Sequence, residues 1–585
     1  MRKQIYLAII LLGLFCKVNG QELSGFKDKK PLAFTGAFGM NHVFSASSDP
    51  LNGRLPYSYV LTGSLATSIF DISFPFSFTY SNQQFNYSQP FHFNQFGVQP
   101  SYKWIKTYLG YNSMTFGKYT MSGHQFLGVG VELAPTNSIF RLSAVYGRFI
   151  NAVEEDTLTS GNTPAYRRMG YGLKAGVQKS GNEVFVTFFR GKDNIESLEN
   201  PIIKSDIKPQ ENLVVGLNGQ ANITKDIRVH ADMAYSIIAR NQFLPEQDKS
   251  GLIGFFDFWI TNREAMEGYL AGNIGANYNI PGGSIGVQYE RVDPGYSTMG
   301  AYYFTNDLEN IALNLNKQLF KGKLNVSGNI GYERNNLNDK SESSSNRLVT
   351  SANVIVLPTD GVNVGLTFSN FKSYTHINSV FDKINATTPY ANYDTLKFTQ
   401  ISTQAGVNAS FRLGDPNNKK MSHNVSVNFD FQKASSLQHS ASDISNFYNA
   451  GSFYNMSDKR INLNTTLGVN VNYSDFATGN SFTVGPSLSL SKPFFDKKLK
   501  SRLSIAYNKS FANGVSITQT TMFRAGATYI YKKEHSFNLN ALFALRSKAN
   551  QANKNSNEFT LTFGYNYNFS IKNIFNKKDS KSNLL

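Results

Sequence analysis

The residues able to do acid–base or metal chemistry are few. Eight histidines occur: His42, His92, His124, His230, His376, His423, His439 and His535. None falls in an HExxH pattern or a closely spaced HxH pair, arrangements that would bring two imidazoles onto one zinc ion. The single cysteine, Cys16, excludes a disulfide framework and any cysteine-based metal site. His124 stands in Ser122-Gly123-His124, and membrane-embedded hydrolases do pair His with Ser on barrel strands. One Ser-x-His is expected by chance in so Ser-rich a chain, so it defines no catalytic site. No Gly-rich phosphate loop follows a strand and opens a helix. The sequence therefore assigns no catalytic residue, no metal ligand and no cofactor. What it offers instead is polar residues at period two: Arg228, His230 and Asp232, then Asn462 and Asn464, and Asn470 and Asn472. Alternate residues of a strand share a face, so each set lines one surface, either as a lumen cluster that tunes selectivity or, more often for such charges, as a solvated or mutually paired set.

The segments that carry these residues alternate along their length. In Ile461–Tyr473 the apolar set Ile461, Leu463, Leu467, Val469, Val471 and Tyr473 opposes Asn462, Asn464, Gly468, Asn470 and Asn472. Phe559–Phe569 and Ile227–Ile237 read the same way, as do Val425–Phe431, Leu324–Tyr332 and Phe537–Leu545. About ten residues with apolar side chains at one parity and small polar ones at the other is the pattern of a strand between lipid and a wet lumen. A soluble sandwich alternates too, but two features separate them. Tyr and Phe crowd the strand ends, as interfacial girdles require. Short turns, such as Ser180–Glu183, Thr224–Asp226, Pro281–Gly283, Pro358–Gly361, Ser457–Lys459 and Lys532–His535, also take turns with long connections: Gly191–Gln210, Arg240–Glu264, Asn335–Asn346 and Tyr374–Tyr393. That is the periplasmic-turn, extracellular-loop asymmetry of outer-membrane barrels.

Composition agrees. Of 585 residues 41% are hydrophobic, 14% aromatic and only 17% charged, which excludes a disordered chain. A mean hydropathy of −0.31 speaks against a bundle of membrane helices. Arg2 and Lys3, the apolar run Ile5–Phe15 and then Gly20 follow the plan of a secretory signal peptide over residues 1–20, and Cys16 leaves with it. Residues 21–33 then form a short periplasmic segment, 34–569 a single transmembrane antiparallel β-barrel, and 570–585 a basic periplasmic tail. The pattern yields about 26 strands, within a range of about 22–26. Such a wall, with strands ~4.8 Å apart and tilted ~40°, would be on the order of 50 Å across. A hole of that width would breach the membrane, so folded-in loops, flattening or a partner protein must fill it.

Candidate fillers are aromatic. Gly251–Ile260, with Phe255, Phe256, Phe258 and Trp259, is an apolar run inside a long connection. It is expected to pack into the lumen, to bind a partner, or to extend a strand above the membrane. Phe85–Phe96 and Tyr296–Phe304 are aromatic as well, and read as loop-core packing.

Several stretches carry a family likeness: Phe74–Phe78 with Tyr80–Gln83, Pro100–Trp104, Tyr119–Leu133, Tyr146–Phe149 and Phe189–Asp193. Over about residues 31–195 the chain resembles a group of large, poorly characterised outer-membrane β-barrel proteins of Bacteroidota. The resemblance implies a Gram-negative outer membrane and a full-chain barrel, and brings no activity, ligand or site.

The expected function is non-enzymatic: a channel or export conduit whose wide lumen is occluded by loops or a partner. A scaffold subunit of an outer-membrane complex is the alternative, and a rim-located hydrolase built on His124 the third reading. Expected partners are outer-membrane lipid and lipopolysaccharide, barrel-assembly machinery during insertion, and other outer-membrane or periplasmic proteins. The net charge of +17 is spread through turns and tail, and marks no nucleic-acid groove.

Overall fold

β-Branched and aromatic residues at one parity, with Gly, Ser, Thr and Asn at the other, suit a pleated surface that is apolar on one side only. In the computed structural model these segments pair into one closed antiparallel wall. The structure describes residues 32–48, 55–69, 72–82, 95–155, 164–202, 207–248, 251–302, 306–338, 346–370, 373–374, 400–415, 418, 420–438, 441–476, 479–548 and 555–572. The expected signal peptide, Cys16, most of Phe85–Phe96, nearly all of Tyr374–Tyr393 and most of the tail lie outside them. Gln95–Val98 and Ser101–Tyr102 share one place in the wall, as do Val362–Ser369 and Ser373–Tyr374, so the barrel has 26 strands. Leu32–Ser47 pairs with Tyr57–Ile69 on one side and with Ser556–Lys572 on the other, from Ala33↔Lys572 to Ser47↔Glu558, which closes the ring.

At the end of the barrel that holds Leu32 and Lys572, the connections are tight. Ser180 and Gly181 turn with φ of 52° and 82° between Arg167–Lys179 and Asn182–Asn194. Asn462 was expected on a strand face, but the strand is Leu463–Phe476, and Ile461 and Asn462 belong to the turn before it. Asn462 takes φ 52°, a left-handed conformation that Asn tolerates better than most residues. The opposite end carries the long connections 195–210, 240–265 and 293–307. From Ala441 onward two connections at that end are short too, with strands meeting at Phe476/Gly479 and Ala512/Val515.

The two parities define two faces. Val186, Leu217, Met233, Leu270, Leu313 and Leu467 are exposed on the outer one, which faces lipid in a transmembrane barrel. The inner face is not uniform. Across six neighbouring strands one register row is all glycine: Gly97↔Gly110, Gly110↔Gly128, Gly128↔Gly147, Gly147↔Gly170 and Gly170↔Gly191. Gly110 has φ +85°, and a Cβ there would come within 2.6 Å of the Phe96 carbonyl. Just beyond this row, pairing to the flanking strands stops. Gln95–Val98 meets Ile105–Gly117 no further than Gly97↔Gly110, and Met121–Leu133 meets Phe140–Ile150 no further than Leu127↔Arg148. The hairpin built on these two strands keeps its own pairing, from Tyr111↔Leu127 to Gly117↔Met121. It leaves the wall and folds inward along the glycine row.

Candidate functional site

Two apolar clusters lie between that hairpin and the inner face. Met114, Phe116, Met121 and Phe126 of the hairpin pack with Tyr108, Val145, Phe149, Phe189 and Met299. Tyr119 at the tip packs with Val214, Ala234, Ala271, Val292 and Tyr296. Small residues on the wall receive it. A Cβ on Gly216 would meet Thr187 Oγ1 at 2.6 Å and Thr120 Oγ1 at 2.7 Å.

Polar groups fix the tip at successive strands. Lys118 N–H donates to Asp232 Oδ2 at 2.9 Å, and Asn218 Nδ2 donates to the Phe116 carbonyl at 3.0 Å. The Tyr119 hydroxyl donates to Glu290 Oε1 at 2.7 Å and accepts from Asn273 Nδ2 at 3.0 Å. Thr120 and Thr187 hydroxyls meet at 2.9 Å. Each wall partner sits at the inner parity of its strand, so the polar face that pattern reading assigns to solvent here holds a folded-in segment.

A second segment locks over the first. The loop 293–307 lays Met299 N–H on Asn212 Oδ1 at 3.0 Å, and the Ser297 carbonyl accepts from Ser236 Oγ at 2.6 Å. The Thr298 hydroxyl donates to the Thr120 carbonyl at 2.6 Å, the Tyr296 hydroxyl to the Tyr119 carbonyl at 2.7 Å, and Ser122 N–H to the Gly300 carbonyl at 3.0 Å. A Cβ on Gly300 would lie 2.5 Å from the Thr120 carbonyl, so the close approach requires glycine. Tyr119 and Tyr296 lie between strands. Burial pushes both phenols well above their ordinary range, with Glu290 adding to the effect at Tyr119 and Asp232 at Tyr296.

The sequence-derived candidates distribute as follows. Arg228, His230 and Asp232 share the inner parity of Ile227–Ala239 but do not converge. Arg228 Nε donates to Asn222 Oδ1 at 2.9 Å, the His230 ring covers Gly275, and Asp232 holds the hairpin tip. Asn464 is exposed at the inner parity, and Asn472 Nδ2 donates to Asn449 Oδ1 at 2.6 Å. Asn470 is 1% exposed above Gly451, and its carboxamide has no hydrogen-bond partner among the described residues. Away from the hairpin the inner face carries amide and hydroxyl pairs, Asn329 donating to Asn314, Thr466 to Asn455 and Thr528 to Asn538 at 2.7–2.8 Å, beside a small apolar cluster of Met522, Leu542 and Ala544. His124 is buried, stacked on Tyr302 at 3.9 Å, with Nδ1 against the Gln125 carbonyl at 2.7 Å.

Gly251–Ile260 overturns the expectation that it fills the lumen or extends a strand. It forms the helix Gly251–Phe255 and turns, and Phe256, Trp259 and Ile260 pack on Leu213, Ile237, Ala239 and Met266. Those wall residues belong to the outer parity, so the segment lies outside the barrel. Phe255 and Phe258 point away from the packed side and are exposed.

No family model matches this sequence, and no curated protein matches it. Among solved structures, the FrpB iron transporter from Neisseria meningitidis aligns at 11% identity over 92% of this chain and 82% of its own, with a TM-score of 0.35. Acinetobacter baumannii OccAB2 aligns at 11% over 92% and 98%, with a TM-score of 0.29. Pseudomonas aeruginosa OprD aligns at 10% over 66% and 94%, also at 0.29. At these scores the likeness carries no functional argument.

Proposed function

We propose that the protein is a conduit in the outer membrane of a Gram-negative bacterium, with part of its wide lumen closed at rest by its own hairpin. The observation that carries this reading is the interlock inside the wall: the tip Lys118–Thr120 bonded to four wall side chains and roofed by 293–302. A wall of 26 strands encloses far more area than a 16–18-stranded porin, which already holds an aqueous channel. Filling one sector with a core of Phe, Met and Tyr restores a barrier there. The remaining inner face, rich in Asn, Ser and Thr, is wettable and lends itself to passage of polar solutes.

The experiment is conductance in planar bilayers. Wild-type protein should conduct weakly, and the double variant Tyr119→Ala/Tyr296→Ala should give larger and more frequent steps. Deleting 251–260, which lies outside the wall, should leave conductance unchanged. No conductance from any form would remove the reading.

A further inference from the structure

The connection 240–265 presents two sides. Its inner side is packed: the Trp259 ring meets Phe188 edge-on at 4.9 Å, and Ile260 is 1% exposed. Phe188 shares its parity with Val184 and Val186, Leu213 with Leu217, and Ile237 with Met233, and the second member of each pair is exposed to lipid. The segment therefore covers the loop-end border of the lipid-facing band. Its other side leaves Phe243, Phe255 and Phe258 at 58%, 77% and 63% exposure. Beside it, at the same parity, Glu211 is fully buried and paired with Arg190 and with Lys192, whose Nζ stands 3.2 Å from Oε2. Within this cluster two cations share one carboxylate, and the Lys192 side chain is 43% exposed.

We propose that Gly251–Ile260 is an interfacial lipid anchor. It seats Phe255 and Phe258 among acyl chains at the headgroup boundary of the leaflet on the loop side, with Lys192 at the level of lipid phosphate. Lipid is selected over a protein occupant by continuity: the segment rests on the lipid-facing band and extends it outward. Aromatic rings with an adjacent cation suit that boundary, where rings sit at headgroup depth and long cationic side chains reach water.

The test uses the full chain in nanodiscs, with an environment-sensitive nitrobenzoxadiazole label on Phe258→Cys. Leu467→Cys serves as the lipid-facing reference and Lys225→Cys, in a turn, as the aqueous one. The expected result is emission at 258 as blue as at 467, quenched by lipid spin-labelled near the headgroup and unchanged on tenfold dilution of the discs. Emission like that at 225, with quenching by aqueous iodide, would overturn the proposal. A blue shift at 258 that disappears on dilution would overturn it too, in favour of a second copy of this chain. Phe255→Cys gives an independent reading, and heat-modifiable migration in gels confirms that each variant is folded.

Discussion

The Tyr296 hydroxyl donates a 2.7 Å hydrogen bond to the Tyr119 carbonyl, joining residues 177 positions apart inside the barrel. Both tyrosines are fully buried, and their rings meet edge to face at 6.4 Å. Tyr119 belongs to the folded-in hairpin and Tyr296 to the loop that roofs it, so this bond is where the two segments are locked together. Tyr296→Phe keeps the ring and removes the donor, a lost hydrogen bond that costs about 0.5–1.5 kcal/mol. The temperature at which the folded band disappears on semi-native gels should fall, and channel openings should become more frequent. Tyr296→Ala should do both more strongly, because it also empties a packed site.

The same pair fixes a pH dependence. Burial raises both phenols, so the folded state resists their ionisation while a released hairpin ionises near ~10. A raised folded value means the linked stability is intact below the ordinary phenol range and is lost as pH climbs above it. The lock should be indifferent to these groups from about pH 5 to 9 and weaken beyond ~10. Open probability measured from neutral to alkaline pH should rise only at the alkaline end. Tyr296→Phe should show a shallower rise, and an identical slope in both proteins would mean these phenols play no part.

Glycine at the contact points gives a steric test. Gly300→Ala places a methyl 2.5 Å from the Thr120 carbonyl, and Gly216→Ala places one 2.7 Å from the Thr120 hydroxyl. Backbone lies on one side of the first clash, so the hairpin or the loop must shift. Gly365→Ala, where the nearest atom is 3.9 Å away, serves as the control. Protease sensitivity of the 293–307 loop in intact membranes should increase for Gly300→Ala and Gly216→Ala and stay at the wild-type level for Gly365→Ala.

Strand patterning was legible because covalent geometry imposes it: alternate side chains of Ile227–Ala239 cannot avoid opposite faces. The strand number and the placement of the long and short connections up to Ala441 follow from that rule and from turn chemistry. The hairpin was not legible. Met114, Phe116 and Phe126 read as apolar intrusions on a polar face, because what buries them, Phe189 and Met299, is remote in sequence. One signal was present in the sequence. Leu213-Val214 and Ile237-Ile238 break the alternation with neighbouring apolar residues. At Leu213 and Ile237 the outer face is covered by Trp259 and Ile260, while Val214 meets Tyr119 on the inside. Doubled apolar residues in a barrel strand thus mark wall that is covered on both sides. The stretches Tyr119–Leu133, Tyr146–Phe149 and Phe189–Asp193, which carry the family likeness, supply the tip and one arm of the hairpin, part of its glycine row and the rings beneath it.

Face assignment in Leu463–Phe476 can be tested directly. Leu467 and Val469 are exposed at the outer parity, and Asn464 is exposed at the inner one. Asn470 shares the inner parity but is crowded over Gly451, so it is a poor probe of a wet lumen. Arg at a lipid-facing midplane position costs about 2–4 kcal/mol, whereas a lumen position tolerates it better. Leu467→Arg should therefore lower the amount of inserted barrel far more than Asn464→Arg. Chemical labelling separates lipid from mere burial, which a stability measurement cannot do. Leu467→Cys should react with a lipid-soluble maleimide and resist a charged one in intact membranes. Asn464→Cys should react with the charged reagent. Equal reaction of both positions with the charged reagent would place both faces in water and rule out a membrane-spanning strand here.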